Sequence, residues 1–593
     1  MVNGMKIVIY DFEVFKYDIL LGAQVYDTDN DECQLVQTWS IDEISKFYFS
    51  HNDYIWIGHN NYKYDDYILS ACISKLDCES IKRLSDVIVN QSVKMRQAKY
   101  PEQSFDLMNC HNFYSLKAME AYMGKSIIES NVSFDIDRSL TDDEKKQTEY
   151  YNQADLQQTF DDFFELSDEL SMRLEMHDIF QIDGTLRKTS TQIAEKIFKP
   201  QKIVYTDNDH VITPKRDSMI IKNTKLLDYY YSDTWKTAKR FTTNFGDCEV
   251  IISGGGIHGS IKKYHYDGEL LYADVSGYYN LLMILYDLYP RPMQNDESKK
   301  IYIDMYHEQL RLKKINPTKR IIYKTMLLCV WGAMKREYSN FYDPETADLL
   351  LITGQLFLYD LCEKLYTISE IVQINTDGVI VQPRNCSYDD VANICKEWQE
   401  RTGFVLKINK IYNVHQRDVN NYMYCDENQN IITCGEAVTH YERWQHPFIK
   451  NSYSSKEPII ISYMIVQYFM KHMLPEETLE QYKHELRMFQ FIVKKGKFDY
   501  MTYEYTDNLG ISHIENLQNV NRAFASNENG MIYKNDKQRH VKVSNLSEKM
   551  FVYNDSLDNM FDEIYNKIDF QYYIDRGYER IAEFIDIPKV RYA

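Results

Sequence analysis

The sequence contains no long hydrophobic run and no cysteine pair of the kind that binds zinc. No apolar stretch approaches the roughly 18–20 residues of a membrane-spanning helix, and the N-terminus leads directly into an apolar strand pattern. We therefore expect no membrane span and no signal peptide, and a location in the cytoplasm. The 11 cysteines are scattered without a C-x-x-C pair, which is typical of free thiols in a reducing compartment.

Positive charge is also scarce in this chain. The 593 residues include 68 Lys and Arg against 88 Asp and Glu, for a formal net charge of −20. Taken alone, this charge argues against nucleic-acid binding. However, an enzyme that binds a polyanion needs only a local basic channel. A chain of this length is too long for one hydrophobic core, so we expect about two to four domains.

Two short acidic strings lie about 100 residues apart near the middle of the chain. Asp274 ends the apolar run Leu270–Ala273, and Asp377 lies in a tight turn between two further apolar runs. If these runs are neighbouring strands, the two carboxylates come together and repel one another unless a cation lies between them. Hard oxygen ligands of this kind suit Mg²⁺. A pair of such ions activates an attacking hydroxyl and stabilises a leaving oxygen, so the strings predict phosphoryl transfer.

A second acidic set lies nearer the N-terminus. A predicted buried strand runs into Asp11 and Glu13, which share one face of the strand because they are two residues apart. Asp65 follows another predicted strand. Tyr151 and Asp155, four residues apart, share one face at the start of a predicted helical stretch. The four carboxylates and the phenol predict a separate two-metal hydrolytic site, in which Tyr151 orients the attacking water.

These strings resemble the motifs of family B DNA polymerases, especially the compact enzymes of bacteriophages. Asp11 to Glu13 resembles D-x-E, Asn61 to Asp65 resembles N-x-x-F/Y-D, and Tyr151 to Asp155 resembles Y-x-x-x-D, the motifs of a DEDDy-type 3′→5′ proofreading exonuclease. Ser115 to Met119 resembles the S/T-L-x-x-h element that contacts single-stranded DNA. The implied catalytic residues are Asp11, Glu13, Asp65, Tyr151 and Asp155, of which the four carboxylates bind metal, and the implied DNA contacts are Asn61, Tyr64, Ser115 and Leu116.

The downstream strings resemble the polymerase motifs with several departures. Asp274 to Asn280 stands for D-x-x-S-L-Y-P and keeps the Asp and the Tyr, which is Tyr279. Lys324 to Gly332 stands for K-x-x-x-N-S-x-Y-G but carries Leu328-Cys329 and Trp331, and Asn375 to Gly378 stands for D-T-D-S but keeps only the second Asp, Asp377. The resemblance implies that Asp274 and Asp377 are catalytic metal ligands and that Tyr279 is a steric gate that excludes a 2′-hydroxyl.

Two further elements complete the resemblance. Ser253 to Gly259 is similar to the Y-x-G-G/A element, where backbone amides meet template phosphates; three adjacent glycines permit that approach, and a plain flexible turn is the alternative. Arg417 to Tyr422 occupies the place of the K-x-Y element near the primer terminus. The implied DNA contacts here are Gly255, Gly256 and Tyr422, and the implied nucleotide-binding residues are Lys324, Tyr279, Arg311 and Arg320.

The expected fold class is α/β and α+β multidomain, with an RNase H-like exonuclease domain followed by a right-hand polymerase. We expect a helical hairpin over residues 303–336, because Asn316-Pro317 breaks the helical pattern and supplies an N-cap and a first-turn proline. The expected domains are the exonuclease (1–200), a connection and first palm segment (201–300), the fingers (301–337), a second palm segment (338–440), and the thumb and C-terminal region (441–593).

The resemblance implies a template-directed DNA polymerase that extends a primer with dNTPs, proofreads, and replicates a phage genome in the host cytoplasm. It implies Mg²⁺, two ions per active site with Mn²⁺ as an alternative, a DNA primer-template, a monomer away from membranes, and a helicase or processivity factor as a further partner. The alternatives are a 3′→5′ exonuclease with a degenerate polymerase half, a protein-primed polymerase, and a non-catalytic nucleic-acid-binding protein. The six retained carboxylates argue against the last.

Spacing argues against protein priming. Relatives that start from a terminal protein carry insertions that widen the gaps between polymerase motifs. Here Lys324 follows Asp274 by only 50 residues, and Asp377 follows Gly332 by only 45. The fingers and a palm helix fill most of that length, so we expect an ordinary DNA primer and no built-in strand displacement.

Overall fold

The computed structural model shows a mixed α/β protein with several sheets. It describes residues 4–90, 97–110, 114–203, 218–232, 234–435, 437–438, 441, 457–507, 509–543, 547–558 and 565–585. Internal contacts divide the chain into a first unit (Met1–Arg187, His440–Tyr463, Pro475–Gly577) and a second unit (Lys188–Thr439, Met464–Leu474, Tyr578–Ala593). Within the described ranges, no helix is both long enough and apolar enough to cross a membrane.

A five-stranded sheet forms the N-terminal part of the first unit. Its strands are β1 (Lys6–Val14), β2 (Ile19–Asp27), β3 (Glu32–Thr38), β4 (Ile55–Gly58) and β5 (Ser104–Asp106). The spatial order is β3-β2-β1-β4-β5, with β1 antiparallel to β2 and parallel to β4. The surrounding helices are α1 (Ile41–Ser50), α2 (Asp65–Ile73), α3 (Cys78–Val89), α4 (Leu116–Tyr122) and α5 (Asp142–Phe180).

The central strand β1 is buried on both faces of this sheet. Val8 and Phe12 belong to a core on one face, whereas Ile7 and Ile9 pack with Leu156 of α5 in a core on the other. Because successive strand residues point to opposite faces, a strand covered on both sides has a continuous apolar run. The acidic residues of β1 therefore follow directly after a buried segment.

Helix α5 begins earlier than the sequence pattern predicted. The helical stretch was expected to start near Tyr151, but the helix starts at Asp142. Thr141 and Glu144 form a capping box, in which each side chain bonds the backbone of the other residue. Tyr151 and Asp155 thus lie inside a long helix and are held by its packing on the sheet.

The C-terminal part of the first unit contains two smaller sheets, ordered β15-β18-β21 and β17-β16-β19-β20. Their strands are β15 (Phe491–Lys494), β16 (Tyr500–Thr506), β17 (Ser512–Leu517), β18 (Val520–Ala525), β19 (Met531–Asn535), β20 (His540–Lys542) and β21 (Met550–Val552). Arg522 of β18 is fully buried and donates hydrogen bonds to the carbonyl oxygens of Ala121 and Lys125 at the end of α4. Residues 475–577 therefore share one compact unit with residues 1–187; the predicted domain bounds stay predictions.

A nine-stranded sheet forms the centre of the second unit, in the order β14-β13-β12-β9-β11-β10-β8-β7-β6. Its strands are β6 (Arg240–Phe245), β7 (Cys248–Ser253), β8 (Gly256–Ser260), β9 (Tyr264–Val275), β10 (Ser369–Asn375), β11 (Gly378–Pro383), β12 (Leu406–Asp418), β13 (Asn421–Cys425) and β14 (Ile431–Cys434). The helices of this unit are α6 (Ser190–Phe198), α7 (Thr224–Tyr231), α8 (Thr234–Ala238), α9 (Tyr278–Tyr286), α10 (Asp296–Ile315), α11 (Pro317–Ala333), α12 (Pro344–Leu365) and α13 (Tyr388–Thr402). Further helices lie at α14 (Ile459–Lys471), α15 (Pro475–Tyr482) and α16 (Phe570–Phe584).

The helical break at Asn316-Pro317 is confirmed. Helix α10 ends at Ile315, and α11 begins at Pro317 with the Asn316 side chain accepting a hydrogen bond from the Lys319 amide at 2.9 Å. The first helix starts at Asp296, earlier than the predicted residue 303, because the Asn295 side chain caps it through the Ser298 amide. The two helices form the expected pair.

Candidate functional site

Three carboxylates of the first unit meet beside the central strand. Asp11 and Glu13 lie on β1, on either side of buried Phe12, and Asp155 lies on α5, which packs on β1. One oxygen of each carboxylate lies within 4.8 Å of the other two. The structure thus brings together three of the four acids that the sequence predicted as one metal site.

Burial and mutual repulsion disfavour the charged forms of these acids. Burial raises the pKa of Asp11 to about 7, and the charge of Asp155 adds to the shift. Burial and the charge of Asp11 raise the pKa of Glu13 well above its ordinary value. Within the described residues, Oε1 of Glu13 is buried without a hydrogen-bond partner. Hard carboxylate oxygens with uncompensated charge suit a divalent cation, so the residues fit Mg²⁺ or Mn²⁺.

A lysine that the sequence analysis missed lies at this site. Lys117 of α4 pairs through Nζ with the Asp155 carboxylate and lies 3.0 Å from Oε1 of Glu120. The ammonium also lies 4.7 Å from the centre of the Tyr151 ring. Burial raises the pKa of Asp155, and Lys117 opposes that shift. The available signal was its position directly after Ser115 and Leu116, which the sequence had marked as DNA contacts.

Tyr151 lies next to the cluster and keeps its proton near neutral pH. Burial, followed by the charge of Asp155, raises the pKa of the Tyr151 phenol. The phenol forms a hydrogen bond with Asp155. A protonated hydroxyl on the wall of an acidic cluster can orient a water molecule, which is the role that the sequence predicted for it.

Asn152 positions Asp11 from the same helix. Its amide nitrogen donates to Oδ2 of Asp11 at 3.1 Å, and its amide oxygen accepts from Gln37 at 3.2 Å. The side chain occupies the space above Gly22, where a Cβ atom would lie only 1.7 Å from its Oδ1. Gly22 is therefore required for close packing of α5 on β2, and no local sequence motif marks it.

Asp65 lies beside the cluster rather than in it. It begins α2, and its Oδ1 accepts a hydrogen bond from the Phe12 amide at 3.2 Å. Burial raises the pKa of Asp65, and the charge of Asp11 is the next cause. Asp65 is thus close enough to interact with Asp11, although it does not belong to the three-carboxylate group.

Asn61, which the sequence predicted as a DNA contact, is fully buried. Its amide donates to Oδ1 of Asp66 at 3.0 Å and to Oγ of Ser104 at 2.9 Å. Arg187 pairs with the same Asp66 at 2.6 Å. Since no part of Asn61 is exposed, this burial argues against the DNA contact. Asn61 instead helps to hold the start of α2, which carries Asp65.

The other predicted DNA contacts of the first unit differ in exposure. Tyr64 is half-buried, and its hydroxyl shares a hydrogen bond of 2.8 Å with Ser85. Ser115 is exposed at the N-terminus of α4 without a side-chain capping bond, and Leu116 is half-buried beside it. Ser115 and Leu116 therefore present atoms to solvent next to Lys117. Their DNA contacts stay predictions.

The acids of the second unit lie on neighbouring strands. Asp274 of β9 is directly opposite Gly378 of β11, and the Val275 amide donates to the carbonyl oxygen of Asp377 at 2.8 Å. The prediction that the two apolar runs are paired strands is confirmed. Asp377 is exposed in the β10–β11 turn, and Asp274 is half-buried.

Two lysines act on the Asp274 carboxylate. Burial raises the pKa of Asp274 to about 6, the charge of Asp377 adds to the shift, and Lys407 and Lys324 oppose it. Lys407 lies opposite Asp274 in the β9–β12 register. The sequence had marked Lys324 but not Lys407, because Lys407 reaches Asp274 only through pairing of strands distant in the chain.

Tyr279 lies in the first turn of α9 and stacks on Trp331 of α11. The ring centres are 4.3 Å apart with an interplanar angle of 19°. Burial raises the pKa of Tyr279, and the charge of Asp377 contributes. The predicted gate residue is therefore close to the acidic turn, and Trp331, which departs from the family tyrosine, supports its ring.

The glycine loop between β7 and β8 adjoins the acidic turn. Gly256 has φ +140°, and a Cβ there would lie 3.0 Å from His258 and 3.1 Å from Oγ1 of Thr376. His258 Nε2 and Thr376 Oγ1 are themselves 3.1 Å apart. Gly255 is exposed at the tip of the loop. The loop and the turn that carries Asp377 thus form one surface.

The remaining predicted ligands are spread over the second unit. Arg311 forms two hydrogen bonds of 2.7 Å with Glu308, so a nucleotide phosphate would compete with that carboxylate. Arg320 donates to Gln309 at 3.2 Å, and Lys324 is exposed on α11. Tyr422 is buried and bonds Asn375 beneath the acidic turn, which suits a positioning role better than a DNA contact. The geometry favours Lys324 among the predicted nucleotide ligands.

Comparisons with protein-family models and with curated proteins found no match. Among solved structures, the family B DNA polymerase from the hyperthermophilic archaeon Pyrobaculum calidifontis is similar over 99% of this chain and 79% of that chain. The identity is 12% and the TM-score is 0.44. Function does not follow from a likeness at this level.

Proposed function

We propose that the chain is a DNA-directed DNA polymerase with a separate 3′→5′ proofreading exonuclease site. The observation that carries this proposal is that Asp274 lies opposite Gly378 in the β9–β11 pair, so that Asp377, the residue before Gly378, is next to it. Lys324 acts electrostatically on Asp274. All three residues match the corresponding positions of the family B polymerase motifs. Replication of a phage genome is the biological role that this resemblance implies.

In the polymerase site, Asp274 and Asp377 would hold Mg²⁺, with Mn²⁺ as an alternative. Bound ions would stabilise charge on the attacking and leaving oxygens. The chain itself positions the substrates. Lys324 attracts the triphosphate as a point charge, and Tyr279, supported by Trp331, contacts the sugar where a 2′-hydroxyl would collide.

In the exonuclease site, Asp11, Glu13 and Asp155 would hold the metal, with Asp65 beside them. Lys117 keeps the Asp155 carboxylate oriented and partly compensates the cluster charge. Tyr151 would orient the attacking water through its hydroxyl. The separation of this cluster and the polymerase pair into different units supports two independent activities.

Primer extension and 3′-end degradation with Mg²⁺ test the two halves separately. Asp377→Ala should reduce extension at least about 100-fold, whereas Asp304→Ala, which removes an exposed carboxylate of α10, should not. Asp11→Ala combined with Glu13→Ala should abolish degradation and leave the extension of matched primers unchanged. Asp53→Ala, which removes an exposed carboxylate of the same unit, is the control. Extension by Asp377→Ala within tenfold of wild type would refute the polymerase assignment.

A 3′→5′ exonuclease with a degenerate polymerase half is the second candidate. One reason is Asn375, which stands where the family has a metal-binding Asp. The other is that, among the described residues, a three-carboxylate cluster occurs only in the first unit. This candidate predicts degradation without extension in the wild-type protein. Extension that Asp377→Ala abolishes would exclude it.

For initiation, we propose that synthesis starts from the 3′ end of an ordinary DNA primer and not from a hydroxyl group of a priming protein. The short motif spacings leave no evident room for an insertion that splits downstream duplex. Opening each base pair costs about 1.4 kcal/mol of stacking, so a helicase or processivity factor would assist a monomeric enzyme. A primed minicircle tests this: kilobase products without helicase would show built-in strand displacement.

A further inference from the structure

A pocket of about 250 Å³ lies beside the glycine loop in the second unit. Aromatic side chains of α7 and α8 form an aromatic wall, and two exposed lysines, the loop and α12 complete the lining. The lining includes Tyr230, Trp235, Lys236, Lys239, Gly254 and Gln355; Asp348 also lines the pocket, and its carboxylate pairs with Lys335. Of these residues, only the glycine belongs to a motif marked in the sequence.

Hydrogen bonds fix the aromatic wall to the glycine loop. The Tyr230 hydroxyl donates to Oε1 of Gln355, and Nε2 of Gln355 donates to the carbonyl oxygen of Ser253 at 2.7 Å. Tyr229 packs edge-on against Tyr230 with ring centres 5.0 Å apart. Because Ser253 directly precedes Gly254, the wall and the loop keep a fixed arrangement.

The lining of this pocket suits a flat, polar ring attached to a phosphate. Its volume lies below the roughly 300–1,000 Å³ of pockets for drug-sized ligands and is that of a site for a single ring system. Aromatic faces stack on any base, and cations follow the backbone in sequence-tolerant binding of single strands. Trp235 is half-buried, and its Nε1 is buried without a hydrogen-bond partner among the described residues. Lys236 and Lys239 are exposed.

The pocket adjoins the loop that leads to the acidic turn. The same loop continues through Gly256 to Thr376 and the turn that carries Asp377. A single strand that crosses the glycine loop on its way to the acidic pair therefore passes Gly254, which lines the pocket. We infer that the pocket receives one unpaired base of the template strand, with the adjoining phosphate against Lys236 and Lys239. This inference rests on the proposed polymerase function.

A scan of abasic template positions tests the inference. A primer–template with a long single-stranded template overhang is made with one base removed at each position in turn, and its Kd for the full-length protein is measured. We expect removal at one position to weaken binding by about 5- to 150-fold, as the loss of one stacked base does. Trp235→Ala should weaken binding of the intact template and should remove the difference in Kd between template positions.

Three controls make the scan decisive. Trp235→Phe should keep the position-specific loss, and Tyr338→Ala, which removes an exposed aromatic ring outside the pocket, should behave as wild type. Lys236→Gln with Lys239→Gln changes only exposed residues and should lower the slope of log Kd against log salt by about 1.4. Should Trp235→Ala fail to fold, this lysine pair and the wild-type scan still decide the question.

A flat wild-type scan, or a position-specific loss that survives Trp235→Ala in a folded protein, overturns the inference. Primer extension by the wild-type protein is measured on the same intact template. No extension would refute the proposed function itself, whereas normal extension with a flat scan would refute only the pocket.

Discussion

Replacing Gly22 by alanine should impair 3′-end degradation through Asn152. Gly22 of β2 lies opposite Asp11 in the β1–β2 register. A Cβ at this position would lie 1.7 Å from Oδ1 of Asn152 and 2.8 Å from Cδ1 of Leu156. Since real Cβ atoms do not approach so closely, Asn152 must leave its place. It then loses its hydrogen bond of 3.1 Å to Asp11.

The expected size of the effect follows from that bond. A hydrogen bond to a charged group contributes about 1.5–3 kcal/mol, which corresponds to about 10- to 150-fold in rate if it is expressed fully in the reaction. Overpacking against Leu156 should also lower the free energy of unfolding by about 1–3 kcal/mol. The polymerase residues lie in the other unit, so extension should change little.

Single-turnover degradation of a single-stranded 3′ end measures the first effect, and thermal unfolding measures the second. Asn152→Ala should reduce degradation by a similar factor, and adding Gly22→Ala to it should cause little further loss of activity. Degradation by Gly22→Ala within twofold of wild type would refute the route through Asn152. So would a double variant whose loss of activity equals the product of the two single losses.

Three further predictions concern other groups. Lys117→Met leaves Asp155 without its buried partner, so degradation should fall at least about tenfold in a single-turnover assay, with partial recovery in Lys117→Arg; unchanged degradation would contradict this. Tyr279→Val should raise the ratio of rNTP to dNTP incorporation, and Trp331→Ala should raise it to a smaller extent; unchanged ratios would make Tyr279 a core residue. Burial raises the pKa of Asp162 to about 8, so its contribution to stability is present at low pH and lost as pH rises through about 8. Asp162→Asn should therefore raise Tm, by about 2–4 °C per kcal/mol gained, at pH 9 but not near pH 4, and an equal gain at both would argue against this titration.

Local signals in the sequence were sufficient for several elements. Asn316-Pro317 marks a helix boundary because an N-cap side chain and a first-turn proline act within one turn. The apolar runs before Asp274 and around Asp377 predicted paired strands, since buried strands require such runs. The start of α5 was predicted at the motif around Tyr151, whereas the helix begins at Asp142, where the Thr141–Glu144 capping box is a local signal.

The candidate sites were predictable only in part. Asp11 and Glu13 share a strand face by their spacing, and the local patterns around Asp155 and Asp377 marked these acids before the resemblance assigned them roles. By contrast, the resemblance suggested that Asn61 contacts DNA, whereas the structure buries it against Asp66 and Ser104. Motif matching reports which residue types recur, but exposure depends on what the rest of the chain places over them.

The sequence by itself determined where the acids lie along the chain and which secondary structure carries them, because period, capping and turn chemistry act over a few residues. Only the tertiary structure decided which groups surround those acids. Lys407 faces Asp274 through strand pairing, and Lys117 and Asn152 reach Asp155 and Asp11 through packing of helices on a sheet. These contacts join residues far apart in sequence, and their geometry depends on the cooperative burial of whole elements.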